Sequence, residues 1–483
     1  MLTPQILAEL RTILTPTSVI SATNQLQTYE CDGLTNFRTL PAAVVLPTTT
    51  AQVQSVVRIC AENKIPFVAR GAGTGLSGGA LPAPGSIVIS LARMNRILNV
   101  DIPNERVTVE AGVINQHVTD AVAAQGYFYA PDPSSQTVCT IGGNVAENAG
   151  GAHCLKYGFT TTHVLALELV LPSGDLISIG SPFGDSDTYD LPGLVVGSEG
   201  TLGIATQMTL RIVKRPESVQ VLLAAFDNTI AAAQTVSDII AAGMLPAAME
   251  IMDRIAIIAA EAAVHPNYPD CHTLLLIELD GPTAEVSTQM QQVIALCNTN
   301  RASETRLAQS ATERAIVWKG RKAAFAAMGR IAPNYIVQDG VIPRTALPEV
   351  LTEINAMAAA INLRVANVFH AGDGNLHPMV LFDATIPGQE ELALDLSYRI
   401  LYLCVDKGGS ITGEHGVGRE KQEAMGYMFS EPDLETMQRV RRAFDPLNLS
   451  NPDKIFPRTK LCAEKPGIYT PHPLELSGEA QLF

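Results

Sequence analysis

A glycine-rich segment, residues 71–79, constrains the fold of this chain more than any other feature. Its five glycines expose backbone N–H groups and permit positive φ angles, so the loop can wrap a pyrophosphate. The apolar run before it, residues 65–70, predicts a strand. A Rossmann loop would open a helix, but Pro82 and Pro84 follow here and the next acidic residue is the distant Asp101. We therefore expect a phosphate-binding loop between two strands, with a plain glycine turn as the alternative.

Two further segments, residues 131–151 and 196–204, are also rich in glycine and other small residues. Small residues let the backbone approach a large planar ligand closely. Three such segments in one part of the chain exceed what turns alone require. Together they predict a binding site for a large ligand that carries phosphate.

Composition and charge exclude several classes of protein. The chain has 483 residues, of which 47% are hydrophobic and 17% charged, so it can build two or more domains and is not disordered. Its net charge of -15 disfavours nucleic acid and anionic membrane surfaces as main partners. No run approaches the roughly 20 apolar residues of a membrane span, and residues 1–14 predict a short amphipathic helix rather than a signal peptide. We expect a cytoplasmic protein, which a partner could hold at a membrane.

The hydrophobic pattern divides the chain into four parts. We predict an N-terminal helical segment at 1–37, a first domain of short strands and glycine turns at 38–217, a second domain at 218–457 and an irregular tail at 458–483. In the second domain, Ala-rich helices alternate with strands, which predicts an α+β fold with helices on an antiparallel sheet. Predicted strands lie at 43–46, 67–70, 86–90, 107–109, 164–171, 221–225 and 273–279, and predicted helices at 50–63, 230–242, 284–297, 346–361, 390–407 and 432–444.

Two histidines flank a predicted turn at residues 372–375. If this tetrad closes a four-residue hairpin loop, His370 lies directly opposite His377 on one face, with the Cβ atoms about 5 Å apart. Two imidazoles so close suit a shared divalent metal ion. A polar cross-strand pair is the alternative.

A second polar pair, Glu414 and His415, lies among glycines, which predicts an exposed loop. Adjacent residues do not easily serve one metal ion from a single element. We therefore assign Glu414 as a third metal ligand and His415 as a base, a role that suits histidine near neutral pH. Polar loop residues without a chemical role are the alternative.

The ordered motifs RGAGTGLSGG, PDPSSQTVCTIGGNVAENAGG, KYG and GSEGTLGI resemble the FAD-binding domain of the vanillyl-alcohol-oxidase type, over about residues 38–217. The resemblance implies that FAD is bound non-covalently, because no histidine occurs in the first loop, where some members attach it. The residues that it implies for the diphosphate are Arg70, Gly71, Ala72, Gly73, Thr74, Gly75, Leu76 and Ser77. Those implied for the flavin are Thr140, Gly143, Asn144, Asn148 and Gly151, with Glu199 and Ile204 on the adenosine side and further cofactor contacts from Pro131 and Asp132.

The motifs WKGRK, QDGVIPR, HAGDGNLH, GGSITGEHGVGREK and NPDKIFP resemble the C-terminal domain of FAD-linked oxidases, over about residues 218–457. This family includes D-lactate dehydrogenases, D-2-hydroxyglutarate dehydrogenase and the flavin subunit of glycolate oxidase. The motifs of the glycolate oxidase subunit are the most similar in sequence to those of this chain. The resemblance implies that Zn²⁺ or a similar ion is bound by His370, His377 and Glu414. It implies further that His415 is the base, that Arg321 holds the substrate carboxylate and that Asn451 approaches the flavin.

Three positions bear on the size of the substrate. Where hydroxyglutarate-type members carry polar residues for a second carboxylate, this chain has Phe325, Val337 and Met379. The resemblance therefore implies a dehydrogenase for a short 2-hydroxy acid, glycolate or D-lactate. The acid would be oxidised to the 2-oxo acid by hydride transfer to flavin N5.

The electrons must then leave the reduced flavin. The eight cysteines include no CxxC pair, so we expect no iron–sulfur relay within the chain. A quinone or a partner iron–sulfur subunit is the expected acceptor, and the chain itself could form a homo-oligomer. Two alternatives stay open, namely flavin-dependent oxidation of another alcohol or phenol, and a non-catalytic flavoprotein subunit.

Overall fold

The described part of the chain divides into two halves with separate hydrophobic cores. The computed structural model describes residues 2–183 and 189–457, so the tail predicted at 458–483 lies outside the described residues. The main hydrophobic core of the N-terminal half is built from residues up to Ile212, together with Leu449 from near the end of the described chain. The cores of the C-terminal half begin at Val221. Helices combine with mainly antiparallel sheets, which confirms the predicted α+β class.

The N-terminal half combines short helices with two main sheets. Its helices are α1 (Pro4–Ile13), α2 (Thr23–Leu26), α3 (Thr50–Glu62), α4 (Asn115–Val122), α5 (Ile141–Glu147), α6 (Cys154–Tyr157), α7 (Thr160–His163) and α8 (Leu191–Val195). Its strands are β1 (Val19–Ile20), β2 (Ala43–Val45), β3 (Phe67–Arg70), β4 (Ile87–Ser90), β5 (Ile97–Asp101), β6 (Arg106–Glu110), β7 (Tyr127–Phe128), β8 (Val164–Val170), β9 (Leu176–Gly180), β10 (Ile204–Arg211) and β11 (Val213–Lys214).

The glycine-rich loop leaves the carboxyl end of strand β3. Strands β2, β4 and β3 are parallel neighbours, and β1 pairs with β2 in the antiparallel sense. Helix α3, which connects β2 to β3, begins after Thr49, whose side chain accepts a hydrogen bond from the N–H of Gln52. Residues 71–86 contain no helix and lead into β4, so the loop lies between two strands. The second sheet is antiparallel, in the order β5-β6-β10-β8-β9.

The C-terminal half is a large antiparallel sheet covered by longer helices. Its strands are β12 (Ser218–Phe226), β13 (Ala248–Asp253), β14 (Thr273–Gly281), β15 (Glu304–Leu307), β16 (Asn334–Val337), β17 (Gly340–Val341), β18 (Arg364–His370), β19 (Asn375–Leu376) and β20 (Pro378–Phe382). Its helices are α9 (Thr229–Ala241), α10 (Arg254–Val264), α11 (Thr283–Thr299), α12 (Ala311–Ala327), α13 (Leu347–Ala360), α14 (Gln389–Asp406), α15 (Gln422–Met428) and α16 (Glu431–Phe444).

Helices cover both faces of this sheet, so its central strands are apolar on both sides. The main order is β15-β12-β14-β13-β18-β19-β17, and β20 with β16 also pairs onto β18. Because side chains alternate along a strand, Leu222 and Phe226 of β12 pack with α9, α11, α13 and α14, while Leu223 packs with α10 and α12. Among residues 2–183 and 189–457, no helix has the length and apolar character needed to cross a bilayer.

The end of the described chain returns to the N-terminal half. The N–H of Phe67 donates to the carbonyl of Leu449 and the N–H of Asn451 donates to the carbonyl of Phe67, both at 2.8 Å. Residues 449–451 therefore pack on strand β3, although the sequence pattern assigns them to the second domain. This return brings Asn451 to the glycine-rich loop, where its side chain donates to the carbonyl of Gly79 at 2.8 Å.

A half-buried histidine connects the two halves. His153 lies between two carboxylates, with its Nδ1 3.0 Å from Asp132 Oδ2 in the N-terminal half and its Nε2 3.0 Å from Glu278 Oε1 in the C-terminal half. Trp318 Nε1 donates to the other oxygen of Glu278 at 2.6 Å. Burial opposes the charge on His153, but Asp132 and then Glu278 raise its pKa well above the usual value. The imidazolium therefore forms part of the contact between the halves.

Replacing His153 with Gln is expected to lower stability by roughly 1–3 kcal/mol in a way that depends on pH, because charge-assisted hydrogen bonds are lost. The pKa of His153 is raised in the folded chain, so its contribution is complete below about pH 6.5 and is lost as the pH rises through the raised value. Thermal melting of both proteins from pH 5 to pH 10 measures this difference. A difference in melting temperature that stays constant with pH would contradict the charged histidine. The control is His117→Gln, which changes an exposed histidine.

Candidate active site

A cavity of about 660 Å³ lies between the two halves. Cavities of this size are typical of sites for small molecules and cofactors. Most residues within 69–76, 139–150 and 198–205 of the N-terminal half line its walls. Asn451, from the segment that packs back on strand β3, lines it too. The lining groups with polar or aromatic side chains in the C-terminal half include Lys322, Phe325, Tyr335, His377, Glu414 and His415. The three glycine-rich segments and part of the predicted metal site thus share one space.

The glycine-rich segments pack against each other in a way that side chains would prevent. A Cβ atom added to Gly71 would lie 2.2 Å from Thr140 Oγ1, and Gly73 adopts a φ of +72° beside the Arg70 guanidinium. Thr140 begins helix α5, where its side chain accepts from the N–H of Gly143 at 3.4 Å. The walls are therefore bare backbone over a long stretch, which fits a cofactor as large as FAD.

Most residues that the sequence predicts for FAD line this cavity. They are Arg70, Gly71, Ala72, Gly73, Thr74, Gly75, Leu76, Thr140, Gly143, Asn144, Glu199, Ile204 and Asn451. Five others are not among the residues that line it, namely Ser77, Pro131, Asp132, Asn148 and Gly151. Asn148 ends helix α5 with a φ of +52°, and Asp132 pairs with His153. Glu147 and Ser198, which the sequence reasoning did not select, do line the cavity.

The predicted metal ligands lie together. His370 Nε2 is 3.1 Å from Glu414 Oε1, and His377 Nε2 is 3.3 Å from the same oxygen. Both ring nitrogens of His377 are buried and have no hydrogen-bond partner among the described residues. Two imidazoles and a carboxylate with donor atoms within 4.8 Å of one another fit the ligand set of a zinc ion with an open position.

The register of the histidine strands differs from the prediction. His370 pairs with Asn375, so the hairpin loop is 371–374 and His377 lies diagonal to His370 rather than directly opposite. Gly374 adopts a φ of +84°, which closes the turn one residue early. Because a diagonal neighbour is still on the same face, the two rings meet with centroids 5.0 Å apart. The prediction that His377 lies directly opposite His370 was wrong, but the two histidines do lie on the same face of the sheet.

Glu250 holds the metal-site histidine from behind. This carboxylate, on β13, pairs across the sheet with His370 on β18, and its Oε1 lies 2.6 Å from His370 Nδ1. A carboxylate behind a ligand histidine fixes the ring and its tautomer. The other oxygen of Glu250 accepts from Arg321 Nε at 2.8 Å. Sequence reasoning missed Glu250, because only the pairing of two distant strands brings it to His370.

A second buried carboxylate, Asp339, shapes the loop that carries Glu414 and His415. It accepts the N–H groups of Gly413 at 3.0 Å, Glu414 at 3.1 Å and His415 at 2.9 Å. Lys421 Nζ is 3.0 Å away and balances its charge. Burial favours protonation, but Lys421 and then His415 hold the pKa of Asp339 well below its usual range. The ionised carboxylate therefore positions the ligand and the base together.

The same loop is attached to the N-terminal half. Glu199 accepts the N–H groups of Val417 and Gly418, both at 2.7 Å. His415 stacks on His377 with ring centroids 4.9 Å apart and an interplanar angle of 2°. Burial lowers the pKa of His415 to about 4, although Asp339 opposes the shift. The imidazole is thus neutral at neutral pH, as a general base must be.

Arg321 is less open than the sequence suggests. Its side chain is 3% exposed, it does not line the cavity, and its Nη2 lies 2.6 Å from Glu250 Oε2. The next residue on helix α12, Lys322, does line the cavity. Phe325 and Val337, two of the three positions that the sequence relates to substrate size, also line it, whereas the third, Met379, is fully buried.

Known proteins resemble this chain over nearly its whole length. Residues 41–180 match the FAD binding domain, and residues 215–455 match the C-terminal domain of FAD linked oxidases. The glycolate oxidase subunit GlcD of Escherichia coli is 45% identical, over 97% of this chain and 94% of that protein. A D-lactate dehydrogenase of Anaerostipes hadrus is 33% identical, over 86% of this chain and 89% of its own length.

The fold is also that of a solved structure. p-Cresol methylhydroxylase superposes with a TM-score of 0.78 at 18% identity, over 93% of this chain and 96% of that one. An identity this low shows the fold alone. Together with the family matches, it confirms the two-part architecture of the vanillyl-alcohol-oxidase type. The chain belongs to the FAD-linked oxidases.

Proposed function

We propose that this chain is an FAD-dependent dehydrogenase that oxidises a short 2-hydroxy acid, glycolate or D-lactate, to the 2-oxo acid. The observation that carries the proposal is the shared cavity, in which the glycine-rich loops of the FAD-binding half face His377, Glu414 and His415. Relatives named as a glycolate oxidase subunit and a D-lactate dehydrogenase support the substrate class.

The residues of the chain have separate roles in this reaction. His415 accepts the proton of the 2-hydroxyl group, and its Nδ1 is buried without a hydrogen-bond partner among the described residues. His370, His377 and Glu414 would hold a divalent metal beside that hydroxyl, and their two nitrogens and one carboxylate suit zinc. Arg321 provides positive charge for the carboxylate from behind the metal ligands. The chemistry supplied by the bound groups is hydride acceptance at the flavin and acidification of the hydroxyl by the metal.

Two further features belong to the proposal. Residues 71–79 contain no histidine, which supports non-covalent binding of FAD. The relative from Escherichia coli is named as a subunit, which supports transfer of the electrons to a partner. That partner would be an iron–sulfur subunit, with a quinone as the other candidate acceptor.

Anaerobic reduction of the purified protein tests the reaction. Glycolate or D-lactate is expected to bleach the flavin absorbance, and prior removal of metal by a chelator is expected to abolish the bleaching. D-2-Hydroxyglutarate should react far more slowly because Phe325 and Val337 offer no partner for a second carboxylate. L-Lactate tests the stereochemistry. A flavin spectrum that none of the four acids changes would refute the reaction, and bleaching that survives chelation would refute the metal.

A further inference from the structure

The cavity exposes a cation to which no role has been given. Within residues 2–183 and 189–457, the lysines and arginines that line it are Arg70 and Lys322. Arg70 belongs to the glycine-rich loop, where its Nη1 donates to the carbonyl of Cys31 at 2.8 Å. Lys322 lies on helix α12, one turn before Phe325, whose ring contacts His377 with centroids 5.8 Å apart. Lys322 is thus the cation that the C-terminal half contributes to the cavity lining among the described residues.

The neighbouring arginine, Arg321, is buried and pairs with a carboxylate of the protein. Arg321 directs its Nε and Nη2 towards Glu250, at 2.8 Å and 2.6 Å. Both distances end on the same oxygen, Glu250 Oε2, and Nε is the nitrogen that makes the hydrogen bond. The charge of Arg321 is therefore largely balanced by a carboxylate of the protein, whereas the side chain of Lys322 is 35% exposed.

A chain of alternating charges holds the Lys322 ammonium in place. Glu278 and Asp132 lie on either side of His153, each 3.0 Å from one of its nitrogens, and Asp132 Oδ2 is also 3.8 Å from Lys322 Nζ. Lys322 Nζ also donates to the side-chain oxygen of Gln136. An ammonium has three N–H donors, so donors remain for a further acceptor in the cavity.

We propose that Lys322 is a substrate-binding residue, whose ammonium binds the carboxylate of the short 2-hydroxy acid. The inference rests on the proposed function, since it adds a cation of the cavity lining to the buried charge of Arg321 in the recognition of that substrate. His153 and Asp132 are positioning residues for this ammonium. A lysine acts as a compact charge with rotatable donors, so it recognises a carboxylate without requiring the planar geometry of an arginine.

Three variants test the assignment in the FAD-loaded protein. Lys322→Met removes the charge at nearly constant length, Lys322→Arg keeps it, and Lys319→Met removes an exposed lysine from the same helix as a control. The rate of anaerobic flavin reduction as a function of glycolate concentration gives an apparent Kd and a limiting rate. Titration with oxalate, followed by the change in flavin absorbance, gives a Kd that does not depend on turnover.

The expected result is a rise of at least tenfold in both Kd values for Lys322→Met, with the FAD content retained and the limiting rate within about threefold of the unmodified protein. Lys322→Arg should restore most of the affinity, and Lys319→Met should leave it unchanged. Unchanged Kd values in Lys322→Met would overturn the assignment, as would loss of FAD or a lower limiting rate at unchanged affinity. Failure of the proposed function would appear differently, as an unmodified protein that no acid reduces, and the oxalate titration would still decide the role of Lys322.

Discussion

Replacing His415 with Gln is expected to slow flavin reduction by about 10²–10⁴-fold while FAD stays bound, because the amide cannot take the hydroxyl proton. His415 is held in position by the hydrogen bond from its backbone N–H to Asp339 and by the stacking of its ring on His377. Rapid-mixing measurements of flavin absorbance under anaerobic conditions give the rate, and the absorbance spectrum of the same sample gives the FAD content.

The control for this variant is His117→Gln, which changes an exposed histidine outside the cavity lining. Its reduction rate should equal that of the unmodified protein. A His415→Gln protein that is reduced within about threefold of the normal rate would show that another group removes the proton. Loss of FAD from this variant would instead place His415 among the residues that hold the cofactor.

Replacing Glu250 with Gln is expected to destabilise the C-terminal half by about 3–5 kcal/mol, the cost of removing one partner from a buried ion pair. Glu250 is fully buried, and both Arg321 and His370 depend on it. Without the carboxylate, the guanidinium of Arg321 stays buried with no compensating charge. Thermal and urea unfolding of the two proteins give the difference.

Glu9→Gln provides the matched control, since Glu9 is an exposed carboxylate on helix α1. Its unfolding midpoint should not move measurably. If Glu250→Gln unfolded within 1 kcal/mol of the unmodified protein, the pair with Arg321 would not be the buried ion pair that the geometry indicates. Metal content measured on the same samples reports whether His370 keeps its orientation.

Local signals in the sequence were sufficient for the glycine-rich loop. Pro82 and Pro84 exclude a helix there, and the structure has none before strand β4. The same reasoning overlooked helix α5, because Gly142 and Gly143 disfavour a helix in isolation. The side chain of Thr140 caps this helix and Asn148 ends it, and its glycines permit contact with Ala111, which no local pattern reveals.

The site could be predicted as a set of chemical groups but not as a geometry. Spacing brought His370 and His377 to one face, yet the register depended on the conformation of Gly374. Asp339 and Glu250 act on residues far away in the sequence, through strand pairing and loop contacts. Such pairings are decided by the whole sheet, so one segment read alone cannot specify them.

The attachment of the base-carrying loop to the flavin-binding half limits how substrate can enter and leave. Glu199 binds the backbone of Val417 and Gly418, so swinging the halves apart would either break two short hydrogen bonds or, if the loop followed Glu199, pull His415 away from its stack on His377. Opening by a movement of whole halves therefore carries a cost that small movements of the side chains lining the cavity would avoid. In the structure the base, the stacked histidine and the flavin-binding half are already assembled, so the geometry for the chemistry is present before substrate binds.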